Sequence, residues 1–462
     1  MTEAIVKSLR DSPSARWGAL AIVSVTMFSG YFFADVMAPL KPLLEQHKGW
    51  TSSEYGFFTS AYGWFNVFLL MLIIGGIILD KMGIRFTGTT AASIMTIGAF
   101  LKYFAINTTF ASDSTLFGVK TQVMLAAIGY AIFGVGVEIA GITVSKTIVK
   151  WFKGKELALA MGLQLAVARL GTMLALQIGA PMAIYFKDVA APILLGSVML
   201  CIGLTTFLVY TIMDRRLESS EKLGETNELN TKDESFKLSD IKEILTNRGF
   251  WYIAMLCVLF YSAVFPFLKY ANDLMVQKYG LEPKMAGLIP SLIPFGNIFM
   301  TPIFGRMVDK KGKAASIMFL GSAMLIVVHL LFSIPAISHW LFAMFLMIIL
   351  GIAFSLVPSA MWPSVPKLIP ERQLGTAYAL IFYIQNWGLM GVPALIGWIL
   401  DSFCTVSRTQ LENGTIQVVY NYTLPMLTFA IFGALGLLFA YLLKREDKIK
   451  NYGLERPSET KS

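Results

Sequence analysis

Charge is what this chain has least of. Asp, Glu, Lys and Arg make up 15% of its 462 residues, while 56% are hydrophobic and the mean hydropathy is +0.64. A soluble chain of this length needs more charged surface, so the composition indicates a polytopic membrane protein. Cysteine is almost absent. Cys201, Cys257 and Cys404 have no metal or redox spacing, and the first two fall inside apolar stretches, so they read as packing residues. Three histidines support no Ser/His/Asp arrangement, and no His/Cys/carboxylate cluster suggests a metal. There is no Walker A loop, so ATP is not the energy source. Neither an enzyme nor a cofactor is expected. The net charge of +9 would hint at nucleic acid in a soluble chain. Here the basic residues sit in short loops, where the positive-inside rule explains them without such a partner.

Apolar runs of about 20 residues, the length of a membrane span, make up most of the rest. Twelve are expected, at 17–40, 55–79, 87–106, 119–149, 157–186 and 190–213, then 249–276, 284–308, 314–334, 340–363, 373–401 and 423–444. This divides the chain into a six-helix bundle (1–213), a polar cytoplasmic linker (214–248) with a short surface helix at Leu238–Thr246, a second six-helix bundle (249–444) and a cytoplasmic tail (445–462). The first run follows Lys7, Arg10 and Arg16 and has no A-x-A site after it, so it reads as a retained helix. Lys81, Arg85, Lys150, Lys153, Lys155, Arg215 and Arg216 recur on one side, as do Lys310, Lys311, Lys313, Lys367, Arg372, Lys444 and Arg445. Both termini are therefore expected in the cytoplasm. The opposite loops are poorer in basic residues, although Lys41, Lys48 and Lys278 lie there.

The chain repeats itself. Gly76, Asp80, Lys81 and Gly83, followed by Arg85, have a second copy in Gly305, Asp309, Lys310 and Gly312, about half the chain later. Both read G-x-x-x-D-K-x-G at the end of a span. Parallel six-helix repeats build transporters whose site lies between the halves, near the midplane. Gly76 and Gly305 would permit close helix approach, and Gly83 and Gly312 a tight turn. Asp80 and Asp309 could cap a neighbouring helix or pair with Arg85 or another loop cation, forming a latch that one access state holds and the other releases.

Two charges lie deep in apolar runs: Glu138 in the fourth and Arg169 in the fifth. A charge at bilayer depth costs at least ~2.5–3.5 kcal/mol, so it persists where it faces protein or a watery cavity. An acid and a base on consecutive spans could hold the two ends of a zwitterion or could pair with each other. An extended dipeptide separates its charged ends by about 7 Å, and the planar fork of arginine suits a carboxylate.

These strings resemble the major facilitator superfamily over nearly the whole chain, the doubled loop signature being its most specific mark. Longer strings resemble the lysosomal dipeptide transporter branch. They are Trp151-Phe-Lys-Gly-Lys-Glu156 with Gly162-Leu-Gln164 and Ala168-Arg169-Leu-Gly171, then Trp362-Pro363, Pro370-Glu371, Gly375-Thr-Ala-Tyr378, Ile384-Gln385-Asn386 and Ala263-Val-Phe-Pro266. The resemblance implies an all-α fold of two pseudo-symmetric six-helix bundles and dipeptide uniport by alternating access. It also implies that Glu138 takes the peptide ammonium and Arg169 the carboxylate. Short tails and loops suggest a bacterial member in the inner membrane. A lysosomal address would apply to a eukaryotic one, where Asn107, Asn413 and Asn421 would lie in outer-side sequons. The accessory subunit of animal relatives is not expected, and the carrier is expected to be a monomer or homodimer. Other readings remain open: a proton-coupled carrier of organic anions or drug-like molecules using Glu138, or a nutrient sensor on the same fold.

Other polar residues carry weaker expectations. Lys269 and Asp273, one helical turn apart, should pair with each other near the outer gate. Asp35 could cap, pair at the gate or touch substrate. Among Tyr31, Tyr62, Trp64, Tyr261, Trp362, Tyr383 and Trp387, the residues chosen to line the cavity are Trp64 and Tyr261. Gln164, Gln385 and Asn386 could bond a peptide group or another helix. His329 should be a packed residue rather than a proton relay.

Overall fold

The computed structural model describes residues 9–111, 114–152, 156–222, 238–370, 373–410 and 416–457. Lys153, Lys155, Glu371, Arg372 and the Asn413 sequon, which entered the sequence reading, lie outside these residues, as do 223–237 of the linker and the last residues of the tail.

The first half contains α1 (Pro13–Asp35), α2 (Lys41–Lys48), α3 (Ser52–Ser60), α4 (Trp64–Phe68), α5 (Met71–Asn107), a hairpin of β1 (Thr115–Leu116) and β2 (Val119–Lys120), α6 (Thr121–Phe152), α7 (Leu157–Phe186) and α8 (Ala191–Lys222). After α9 (Leu238–Thr246), the second half contains α10 (Arg248–Ser262), α11 (Phe265–Tyr279), α12 (Pro283–Ala286), α13 (Leu292–Lys311), α14 (Ala314–Ser333), α15 (Trp340–Leu368), α16 (Leu374–Phe403), a hairpin of β3 (Thr405–Gln410) and β4 (Ile416–Tyr420), and α17 (Thr423–Lys450).

The described helices pass back and forth twelve times. Among the described residues, however, ten helical stretches are long and apolar enough to cross a membrane by length and composition. The difference has two causes. The second pass is broken: a 3-10 turn at Ala61–Gly63 separates α3 from α4, and its last part runs into the third pass as α5. Within α5 only Gly83, at φ 79° and ψ 174°, is non-helical, and it marks the loop between the two passes. The eighth pass, α13, is interrupted by Pro294, Asn297, Pro302 and Arg306, which dilute its apolar character.

The halves repeat one packing scheme. In the first, α1 packs on α7 and α8, and α5 on α6 and α8; in the second, α10 packs on α16 and α17, and α14 on α15 and α17. Between the halves, α3 lies against α16 and α7 against α13, which are equivalent pairs under the internal repeat. The face bearing the described chain ends also bears both repeated G-x-x-x-D-K-x-G loops. The opposite face carries α2, both hairpins and α12.

Candidate functional site

A cavity lies between the halves in two connected compartments. The larger, about 530 Å³, runs from Tyr31, Tyr62, Glu138, Arg169 and Tyr261 along α6 to Ser145 and past Gln164, Thr301, Ser359 and Tyr378, towards the terminus-bearing face. The smaller, about 170 Å³, lies beyond Glu138 and Arg169 on the other side, among Asp35, Thr59, Tyr130, Phe265 and Lys269. Glu138 and Arg169 line both.

Glu138 owes its setting to two features of α6. Gly134, one turn earlier, sits so close to the 3-10 turn that an added Cβ would lie 2.3 Å from the Tyr62 carbonyl oxygen. That approach brings Tyr62 over α6, and its hydroxyl donates to Glu138 Oε1 at 2.6 Å. Arg169 is caged by rings instead of acids. Its guanidinium carbon lies 5.4 Å from the ring centre of Tyr31, 5.5 Å from Phe265 and 5.1 Å from Phe354. Its Nε is buried without a hydrogen-bond partner. No ion pair joins Glu138 to Arg169, and among the described residues neither has an ion-pair partner. Both are only partly buried and line the cavity, so the arrangement is not that of a structural bridge between them.

The aromatic expectations divide. Tyr261 lines the larger compartment and accepts from Trp362 Nε1 at 3.2 Å. Trp64 does not reach the cavity: its Nε1 donates to Ser60 Oγ at 3.1 Å and its ring packs edge-on against Phe57. The 3-10 turn at Ala61–Gly63 explains the miss, because it rotates the helix just before Trp64 and presents Tyr62 instead. Gln164 and Gln385 line the cavity, whereas Asn386 Oδ1 accepts from Asn66 Nδ2 at 3.4 Å across the halves. Trp387, half-exposed, packs with Phe68 and Tyr383. His329 is fully buried, with Nε2 3.0 Å from the Ala263 carbonyl oxygen and its ring against Phe267 and Phe429.

The far side of the cavity is closed by ion pairs that cross the halves, and here the sequence expectation fails. Lys269 and Asp273 do not pair with each other. Lys269 reaches Asp35 of α1 at 2.5 Å and the Ala34 carbonyl oxygen at 2.7 Å, while Asp273 takes Lys41 at 2.6 Å. Cross-bundle partners replace the local pair because α11 meets the end of α1 and α2 there. Asp35 also accepts from Thr172 at 2.7 Å and lines the smaller compartment, so it is both gate and wall. Lys102, absent from the sequence expectations, is fully buried on α5, donates to the Phe33 carbonyl oxygen at 3.3 Å and lies over the Phe33 ring. A cation among apolar neighbours was the available signal.

The repeated loops also need correction. Gly83 and Gly312 adopt positive φ, 79° and 67°, as turn glycines. Gly76 and Gly305 mediate no close approach, since a Cβ at either would meet nothing within 4 Å. Asp80 pairs with Lys146 of α6 at 2.8 Å, not with Arg85. The turn at Gly83 carries Arg85 onto the next pass, where it faces α8 and reaches Glu218 at 2.8 Å and Asp214 at 3.5 Å. Asp309 is exposed, with no ion-pair partner among the described residues.

Comparison with known proteins accounts for this architecture. Residues 20–393 match the family model described as Major Facilitator Superfamily. The chain belongs to the major facilitator superfamily. It is therefore an integral, multi-pass membrane transporter, not an enzyme. It is 29% identical over 390 residues to the lysosomal dipeptide transporter MFSD1 of Homo sapiens, covering 81% of this chain and 78% of the human one. Against the Danio rerio transporter of the same name, identity is 28% over 449 residues, or 94% and 88% of the two chains. Solved structures share the fold at low identity. A nucleoside transporter, NupG, superposes with a TM-score of 0.69 at 12% identity, covering 92% of this chain and 99% of NupG. A bacterial homologue of the human lysosomal transporter Spinster, inward-facing and unoccupied, gives 0.67 at 13% identity, covering 94% and 98%. The xylose transporter XylE of E. coli, partially occluded and inward-open, gives 0.65 at 16%, covering 94% and 99%.

Proposed function

We propose that this protein carries dipeptides across a membrane by alternating access, as a uniporter. The observation that carries the reading is the pair of unsatisfied poles: Glu138 and Arg169 face one cavity and neither has a counter-ion. A dipeptide ammonium at Glu138 and carboxylate at Arg169 would neutralise both. The loaded carrier would then cross its occluded state without exposing a bare charge, which favours reorientation with substrate bound. The lysosomal dipeptide transporters, about 29% identical over most of their length, support the substrate class.

Tyr62 holds Glu138 by one oxygen, leaving the other for an ammonium. Glu138 cannot hold both a proton and an ammonium as counter-charge, which favours uniport over obligatory proton symport. By the positive-inside rule the terminus-bearing face is cytoplasmic, so the larger compartment opens inward. The Asp80–Lys146 pair belongs to the state equilibrium and not to the site.

Proteoliposomes carrying a pH-sensitive dye test this. The expected result is uptake of a labelled dipeptide, competed by other dipeptides but not by free amino acids, nucleosides or xylose, with no stoichiometric acidification. Uptake of an organic anion that dipeptides do not compete, with acidification lost in Glu138→Gln, would instead establish a proton-coupled anion carrier.

A further inference from the structure

We infer that the gate opposite the terminus-bearing face is a proton-sensitive latch in which Glu45, held with Asp273 around the single cation Lys41, carries a proton when it is closed. The inference starts from a charge imbalance. Asp35 and Lys269, one turn nearer the cavity, balance one to one. At Lys41 a single ammonium serves two carboxylates. Its Nζ lies 2.8 Å from Glu45 Oε1 and 2.6 Å from Asp273 Oδ2, and all three side chains are almost wholly buried. Two ionised carboxylates on one cation away from water leave a net buried negative charge, and burial with Asp273 beside it pushes the Glu45 carboxyl up, so the cluster takes its proton at Glu45.

The surroundings do not supply the missing positive charge. Glu45 also accepts from the Ser52 hydroxyl at 2.8 Å and the Tyr420 hydroxyl at 3.2 Å. Asp273 accepts from the Tyr422 hydroxyl and from Gln277 Nε2 at 3.4 Å. Burial and the neighbouring Glu45 push the Tyr420 phenol up, so it stays a neutral donor. The rings of Tyr55 and Tyr270 face the Lys41 ammonium but carry no charge. Asp401 joins through Tyr420 at 3.3 Å and adds a further negative charge, though the backbone amides of Ser52 and Ser53 at the start of α3 hold it ionised. The other nearby charges are spent elsewhere. Lys120 pairs with Glu54 at 2.9 Å, Lys269 with Asp35, and Lys278 donates to the carbonyls of Phe332 and Ile334. His47 and Lys48 lie on α2 itself, outside the cluster.

The latch joins the halves: Lys41, Glu45 and Ser52 belong to the first, and Asp273, Asp401, Tyr420 and Tyr422 to the second. Opening the gate separates Asp273 from Lys41 and Glu45 and returns Glu45 to water, where it releases its proton in the ordinary carboxylate range near pH ~4. The closed gate thus binds one more proton than the open gate above that range. The sign follows: the closed form gains as pH falls and loses as pH rises through its own proton affinity, by up to about tenfold per pH unit for one proton. Acid favours the state whose cavity opens to the terminus-bearing face.

The test needs no substrate, so it stands apart from the dipeptide reading. Spin labels at Lys187→Cys and Ser338→Cys, exposed on the gated face in loops of opposite halves, report its closure in a Cys201→Ser background. Pulsed electron–electron distances in nanodiscs should show the closed population, the short distance, rising severalfold or more from pH 8 to pH 5. Glu45→Gln should hold the acid population at pH 8 and lose the dependence. Asp273→Asn, which leaves Lys41 and Glu45 balanced, should flatten it likewise and serves if the first variant folds poorly. A closed fraction independent of pH in the otherwise unchanged protein, or one that titrates equally in either variant, overturns the inference.

Discussion

At the scale of single residues, position in the apolar run was enough to single out Glu138 and Arg169, because a charge in a span must face something polar. What the sequence could not show is which aromatic accompanies them. Tyr62 and Trp64 are two residues apart, and a 3-10 turn that no propensity forecasts decides which one turns inward. Tyr62→Phe should therefore weaken dipeptide binding several-fold, since it removes the donor that orients Glu138, a bond of about 0.5–1.5 kcal/mol or more when one partner is charged. Trp64→Phe should leave affinity unchanged. Isothermal titration of both variants checks this, and a larger effect at Trp64 would reverse the assignment. Partners of gate charges were equally hidden. Lys269 and Asp273 satisfy the one-turn spacing of a local pair, yet each finds an opposite charge on the other half, where sequence separation carries no signal. Single Asp35→Asn or Lys269→Met replacements should each destabilise by a few kcal/mol, because each strands a buried charge, and the double variant should recover much of the loss. Thermal unfolding in one detergent measures the cycle; additive losses would mean the two groups do not interact.

At the scale of elements, apolar periodicity located the spans because membrane helices must satisfy their backbone internally. The second and eighth passes were located too, although 3-10 turns, prolines and polar residues line an interface between bundles there and lower local hydropathy. The repeated loop motif identified turn glycines correctly, since Gly83 and Gly312 sit at φ values that other residues avoid. It misassigned Gly76 and Gly305, where an added Cβ would meet no neighbour within 4 Å, and Arg85, which the turn carries to α8. The close approach that matters is at Gly134. Gly134→Ala should push the Ala61–Gly63 turn off α6, move Tyr62 from Glu138 and cut binding by at least tenfold; unchanged affinity would show that the turn tolerates displacement. Asp80→Asn breaks the pair with Lys146, which lies below the cavity. It should slow transport while leaving affinity within a few-fold, because the latch biases the access equilibrium and not the contacts to substrate. Loss of binding in a folded Asp80→Asn protein would place that residue in the site.

At the scale of the molecule, the two-fold internal repeat is visible both in the duplicated loop string and in the matching helix contacts of the halves, which is why the fold was legible. The access state was not, because it depends on which ion pairs close, and those cross between residues far apart in the chain. In this state Lys41–Asp273 and Lys269–Asp35 seal one face, while the larger compartment leads to the other. Between them, Glu138 and Arg169 remain without a counter-ion, which a bound zwitterion would supply. The most direct measurement is the thermal shift of the purified protein with a free dipeptide, its N-acetyl form and its C-amide, since stabilisation by a ligand follows its affinity. The free dipeptide should raise the melting temperature with the logarithm of its concentration above Kd, and each blocked form should need a concentration at least a hundredfold higher for the same shift, because each leaves one pole unpaired. Equal shifts from free and blocked peptides would contradict the two-pole site, whatever the protein transports.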